Sequence, residues 1–165
     1  MPAQALFGIS VAFGFIAWGV FTAQYLWPEL RGRSRIAALR PLLILHSFRF
    51  IGLAFLMPGV VAPELPGAFA RPAAYGDLIA AVLALLALMT LRSRLGLLFV
   101  WTFNIWGTAD LLYAFYAGNS VGLEPGQLGA TLFILTVIVP LLLITHGVVF
   151  RLLLRGDRPT ASRGG

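Results

Sequence analysis

Long apolar runs separated by short polar turns constrain this chain more than any other feature. They cover residues 3–27, 41–61, 74–91, 95–117 and 126–154. A helix needs about 20 apolar residues to cross the hydrocarbon core of a bilayer, and the runs are too long and lack the alternation that strands show. The sequence therefore predicts an all-α polytopic transmembrane bundle with five spanning helices, of which the third is the shortest and carries Asp77 near its start.

Composition supports the membrane assignment. The 165 residues are 59% hydrophobic and 11% charged, whereas a soluble domain carries about 25% charged residues. We expect a single five-helix domain over residues 1–156, followed by a polar, glycine-rich tail, residues 157–165, that is disordered. The chain contains no cysteine and its basic residues are all arginine, which excludes disulfides, thiol chemistry and a lysine Schiff base.

Arginines are concentrated in every second connection between the apolar runs. One set lies between runs one and two, a second between three and four, and a third at the end of run five and after it: Arg31, Arg33, Arg35 and Arg40; Arg92 and Arg94; Arg151, Arg155, Arg158 and Arg163. Positive residues favour the cytoplasmic side, so the N-terminus is predicted outside and the C-terminus in the cytoplasm. The tight turn at residues 92–94 predicts that helices three and four are antiparallel neighbours. Short loops and arginine-only basic residues fit a bacterial inner membrane.

Two histidines and an arginine interrupt the apolar runs. On the rise of a helix, His46 lies about 9 Å from Arg40 and His146 about 8 Å from Arg151, so both rings are expected at one depth on different helices. Arg49 follows His46 by three residues and shares its face. Because helical side chains lean toward the N-terminus, Arg49 is expected to extend toward the cytoplasmic headgroups.

His46, Arg49 and His146 are the candidate cofactor-binding residues. Two histidines on facing helices suit the axial positions of a b-type haem, with Arg49 or Arg40 pairing with a propionate. A quinone or lipid headgroup is a second candidate ligand for His46 and Arg49. The simplest alternative is a polar cluster that bonds the helices together. Two histidines are too few for a closed zinc site, so no metal site is predicted.

The fourth run carries a second polar group. Asn104 and Thr108 share one helical face, whereas Asp110 lies on another face with Trp106 and Tyr113. Asp110 is expected in the outer half of the bilayer, either protonated or paired with Arg71 or Tyr113. These residues predict either a proton or cation relay or hydrogen bonds that join neighbouring helices.

The sequence contains no P-loop, G-x-S-x-G, H-E-x-x-H or dinucleotide fingerprint. We therefore predict a small, non-enzymatic membrane component or small-molecule-binding bundle. The alternatives are a haem b- or quinone-binding redox protein that uses His46 and His146, and a proton-coupled small transporter that uses Asp110. The expected partners are the lipid bilayer, and either other membrane subunits or a second copy of the chain. Nucleic acid is not expected, because the arginines lie in short loops and the tail.

Overall fold

A computed structural model describes residues 1–155, and within them five long helices form the fold. They are α1 (Ala3–Arg31), α2 (Arg35–Leu56), α3 (Gly67–Thr90), α4 (Gly96–Ser120) and α5 (Ile134–Leu153). Four of these helices, all except α4, are long and apolar enough to cross a membrane. The 25-residue α4 is also long enough, but polar side chains, including those of Asn104 and Asp110, make it less apolar. The tail predicted to be disordered lies outside the described residues.

Two helices begin earlier than the apolar runs indicated. The second helix begins at Arg35, after Ser34, whose hydroxyl accepts a hydrogen bond from the backbone N–H of Ala37. The third begins at Gly67 and accommodates Pro72 in its second turn. The arginines and prolines in these turns predicted connections rather than helix. Pro72 lies beyond the first turn, and its missing N–H leaves the carbonyl of Ala68, four residues earlier, without its helical partner.

The helices pack in an order that the sequence indicated in part. The third helix packs on α4, the antiparallel neighbour expected from the tight turn. It also packs on both parts of α2, the α-helical Arg35–Ser47 and the 3-10 helix Phe48–Leu56. The last helix packs against α1, α2 and α4. The first helix is peripheral, since only 6% of its most apolar window is buried. The central bundle is therefore formed by α2, α3, α4 and α5.

A close approach holds α1 against α5. Pro140 has no N–H, so it cannot bond to the carbonyl of Thr136 one turn earlier. Gly14 packs against that carbonyl so closely that a Cβ atom there would lie 2.2 Å from the oxygen. The indole of Trp18 donates to the carbonyl of Val137 at 2.9 Å. The irregular start of α5 thus presents carbonyl groups to α1.

Contacts between two helix ends and contacts between two connections define the opposite ends of the bundle. At one end, Arg151 stacks on Trp27, with its guanidinium carbon 3.9 Å from the ring centroid. At the other end, Ala62 donates to the carbonyl of Gln127 at 3.1 Å, and Ala130 donates to that of Val60 at 2.9 Å. Two apolar cores lie toward these ends, one around Leu39 and Phe103 and the other around Phe69 and Leu128. The charged residues described next lie between them.

Candidate functional site

Arg49 is the centre of a buried group of polar side chains. Arg49 is 1% exposed, and each of the three guanidinium nitrogens has at least one hydrogen-bond partner. Nε and Nη2 both lie 2.7 Å from Oδ1 of Asp77, and Nη2 also donates to Oδ2 of Asp110 at 2.7 Å. Nη1 donates to the carbonyl of Gly107 at 3.1 Å and faces Nε2 of His146 at 3.2 Å. One guanidinium therefore joins α2, α3, α4 and α5.

The histidine on α5 has a defined tautomer. Arginine is only a donor, so Nε2 of His146 accepts and its proton is on Nδ1. That N–H points to Oδ1 of Asn104 at 2.7 Å, and the Asn104 amide donates to the carbonyl of His146 at 3.3 Å. Asn104 and His146 are therefore a matched pair, and the imidazole is neutral in this arrangement.

The histidine on α2 is completely buried and is also neutral. The hydroxyl of Thr145 donates to the carbonyl of Leu141 at 2.8 Å, so it accepts from Nε2–H of His46 at 3.0 Å. Nδ1 of His46 has no hydrogen-bond partner. A second proton there would be a buried donor without an acceptor, which is costly. We call the seven residues that these contacts join the polar cluster: His46, Arg49, Asp77, Asn104, Asp110, Thr145 and His146.

Three glycines make room for the polar cluster. A Cβ atom at Gly52 would lie 2.2 Å from Oδ2 of Asp77, and one at Gly76 would lie 1.6 Å from Oδ1 of Asp110. A Cβ atom at Gly107 would lie 2.6–2.7 Å from the His146 ring and from Nη1 of Arg49. Each glycine lies on a different helix, α2, α3 or α4. The close approach of the charged groups therefore requires that one position on each of three helices has no side chain.

A groove on the outer surface of the bundle reaches the polar cluster at Asp110. It has a volume of about 400 Å³ and lies between α3 and α4, with Tyr75, Gly76, Trp106, Ala109 and Tyr113 among its lining residues. The indole of Trp106 donates to the carbonyl of Gly76 at 3.4 Å, across the two helices. The side chain of Asp110 also lines the groove and retains 10% exposure. Asp110 thus contacts Arg49 on one side and the groove on the other.

A second, smaller space lies on the inner side of the carboxylates. Asp77 and Asp110 border this cavity of about 20 Å³ together with apolar side chains. A cavity of that size is large enough for one water molecule. Both carboxylates therefore adjoin space that the protein itself does not fill.

The structure brings together most of the residues selected from the sequence. His46, Arg49, His146, Asn104 and Asp110 all belong to the polar cluster. The exception is Thr108, whose hydroxyl donates to the carbonyl of Asn104 in its own helix at 2.7 Å.

Two expectations about the charged residues were wrong. Arg49 does not extend to the headgroups, because its guanidinium is buried between two carboxylates. The partner of Asp110 is Arg49 rather than Arg71 or Tyr113. Asp77 was not predicted as a site residue. In the sequence it was noted only as a charged residue near the start of the shortest apolar run. The signal was a charge balance, because Asp77 and Asp110 lie within the apolar runs and Arg49 is the arginine nearest the middle of such a run.

The two histidine rings do not fit a shared haem. Their centroids are 4.2 Å apart and the rings are in contact, which leaves no room for a porphyrin between them. Nδ1 and Nε2 of His146 are engaged with Asn104 and Arg49. In the described part of the chain, no group of three or more histidine, aspartate or glutamate residues is arranged to hold a metal ion.

Comparison with known proteins identifies one family. Residues 6–154 match the model of a family described as a domain of unknown function, DUF8737. No curated protein and no solved structure matches the chain.

Proposed function

The chain belongs to the DUF8737 family, whose description assigns no activity, and we propose from the site itself that it is a non-enzymatic membrane protein that binds a small lipid-phase molecule. The binding site is the groove between α3 and α4. The observation that carries the proposal is the position of Asp110, a carboxylate at the edge of an apolar, aromatic groove. Small-molecule sites combine an apolar lining with a few placed polar groups, and about 400 Å³ lies within their usual range.

The proposed arrangement in the membrane has five spans, including α4. The N-terminus lies outside and the C-terminus in the cytoplasm of a bacterial inner membrane. Support comes from the bundle end that carries Arg151, because Arg33 and Arg35 lie at the same end. A cytoplasmic position for that end follows the usual distribution of positive residues. The groove then opens laterally to lipid, since Tyr75, Trp106 and Tyr113 are 42–54% exposed.

Quenching of Trp106 fluorescence tests groove binding. The probe is 4-bromobenzyl alcohol, a neutral aromatic molecule whose bromine quenches an indole on contact. The chain has four tryptophans, so the Trp106 signal is the difference between the wild type and Trp106→Phe in the same detergent. If the groove binds the probe, we expect this signal to fall along a saturating curve as the probe concentration rises. Unbound probe dissolved in the micelle would quench in proportion to its concentration.

Matched variants of α4 complete the test. Ala109 lines the groove, so Ala109→Phe fills it and should abolish the saturating component. Ile105 is 56% exposed on the same helix and is not among the groove's lining residues, so Ile105→Phe should leave quenching unchanged. Quenching that is linear in the wild type, or equally saturable in Ala109→Phe, would remove the groove as a binding site.

A proton-coupled small transporter is the second candidate function. One observation favours it: Asp110 contacts both the groove and the buried arginine. A change of charge at Asp110 would therefore alter the electrostatic environment of Arg49. Intramembrane carboxylates of this kind serve proton relays in carriers. Proton-driven uptake into liposomes, lost in Asp110→Asn, would support transport, whereas uptake that Asp110→Asn leaves unchanged would exclude Asp110 as the coupling residue.

A further inference from the structure

The polar cluster contains one more acidic group than basic groups. Arg49 is its only cation and contacts both Asp77 and Asp110. The hydrogen bonds of His46 to Thr145 and of His146 to Arg49 and Asn104 make both imidazoles neutral. With both carboxylates ionised, the cluster would carry a net charge of −1.

An uncompensated charge at this position is unfavourable. Asp77 is 5% exposed and Arg49 is 1% exposed, and an isolated ion in a low-dielectric environment tends to be neutralised rather than tolerated. The missing positive charge has two possible sources, a proton on one carboxyl group or a cation in the groove beside Asp110. The two sources exclude each other, because either one alone makes the cluster neutral.

No other described charge near Asp110 supplies the missing one. The charged groups beside Asp110 are Arg49 on α2, which it contacts, and Asp77 on α3, which contacts the same arginine. His146 on α5 is neutral and contacts Arg49. Arg71, the remaining cation on α3, is directed back toward Gly67, since its Nε lies 3.9 Å from the position of a Cβ atom there. The other acidic or basic side chains along the groove are the phenols of Tyr75 and Tyr113, and a phenol cannot supply a positive charge.

The lining of the groove suits a cation. Tyr75, Trp106 and Tyr113 line the groove together with Asp110, and aromatic faces attract cations most strongly where water is excluded. We propose that the groove binds a small lipophilic monocation, such as a substituted ammonium, in exchange for one proton held by the Asp77–Asp110 pair. The cation enters, one proton leaves to the medium, and no covalent bond other than O–H changes. This inference rests on the proposed function.

Two probes of one shape separate charge from fit. Benzyltrimethylammonium carries a permanent positive charge, and neopentylbenzene replaces its nitrogen with carbon. Titration calorimetry of the wild-type protein in buffers of different ionisation enthalpy measures binding and counts the protons released. We expect the cation to bind with release of one proton, and the neutral isostere to bind with release of none.

The pH dependence gives a second readout. A cation that must displace one proton binds about tenfold more tightly for each unit of rising pH, until the cluster has lost its proton. Affinity is then constant at higher pH. The neutral isostere should show no such dependence.

Asp77→Asn is the decisive variant, because Asp77 is not among the groove's lining residues. In it, Arg49 and Asp110 balance each other and the cluster has no missing charge. We expect cation affinity to fall at least tenfold and proton release to disappear, while affinity for neopentylbenzene stays within twofold. Asp110→Asn should likewise weaken cation binding and abolish proton release. If Asp77→Asn keeps full cation affinity, contact with Asp110 alone recruits the cation and the charge argument is overturned.

The outcomes separate this inference from groove binding itself. If the wild type binds both probes equally and releases no proton, the groove binds small molecules but not by charge. If neither probe binds and 4-bromobenzyl alcohol quenches only linearly, the proposed function fails as well. Ile105→Phe serves as the control in all titrations, because its site is exposed and is not part of the groove's lining.

Discussion

Removal of the central guanidinium should destabilise the bundle more than any other single change to the polar cluster. Arg49→Met eliminates five N–H donors and leaves Asp77 and Asp110 without a cation. Loss of one partner of a buried ion pair costs about 3–5 kcal/mol. The variant should therefore lower the free energy of unfolding by about that amount, which corresponds to roughly 10²–10⁴ in the folding equilibrium.

Most of this loss should come from the stranded carboxylates. In an Asp77→Asn/Asp110→Asn background, Arg49 is a buried cation without a counterion, so Arg49→Met relieves an unfavourable charge while it removes the hydrogen bonds to Gly107 and His146. Loss of those hydrogen bonds alone costs about 1–3 kcal/mol. The two backgrounds should therefore differ by at least about 2 kcal/mol, which is large for a coupling energy.

The assay is reversible unfolding by SDS in dodecylmaltoside micelles, followed by circular dichroism. Arg40→Met is the control on the same helix, because Arg40 is exposed, and exposed sites away from special features change stability by only about 0.5 kcal/mol. The reasoning is refuted if Arg49→Met is no worse than Arg40→Met, or if its cost is the same with and without the two carboxylates.

Three further outcomes follow from the same contacts. Gly76→Ala places a Cβ atom 1.6 Å from the Asp110 carboxylate and should cost about 3 kcal/mol by expelling it from the ion pair; the cost should disappear in an Asp110→Ala background. Asn104→Leu removes the acceptor of a buried imidazole N–H, so stability should fall by about 1–3 kcal/mol and the ring ¹⁵N signals should shift. Gly14→Leu should separate α1 from α5, measured as loss of cross-linking between one cysteine introduced into each helix, whereas Gly8→Leu should not, since nothing lies within 4 Å of a Cβ atom there.

The sequence predicted the helical class, the apolar segments and the pairing of helices three and four because each depends on local pattern. Hydrophobic length marks a spanning helix, and a tight turn makes its flanking helices neighbours. That His46 and His146 lie at the same level of the bundle was also predictable, since helical rise is constant. Their rings are in contact, 4.2 Å apart.

The sequence did not predict where Arg49 points. The lean of a helical side chain gives its direction along the axis, but its rotation around the axis depends on which neighbouring helices leave space. That space comes from Gly52, Gly76 and Gly107 on three different helices. Asp77 was missed for the same reason: its role depends on a partner 28 residues away, on another helix.

The most direct test of the charge account is an infrared difference spectrum of the protein with and without benzyltrimethylammonium. A protonated carboxyl group has a C=O stretch distinct from that of a carboxylate. The account predicts that binding of the cation removes one protonated-carboxyl band, with a matching carboxylate gain, in the wild type but not in Asp77→Asn or Asp110→Asn. A bound cation with no change in the carboxyl region would contradict it, because the cluster would then hold no exchangeable proton.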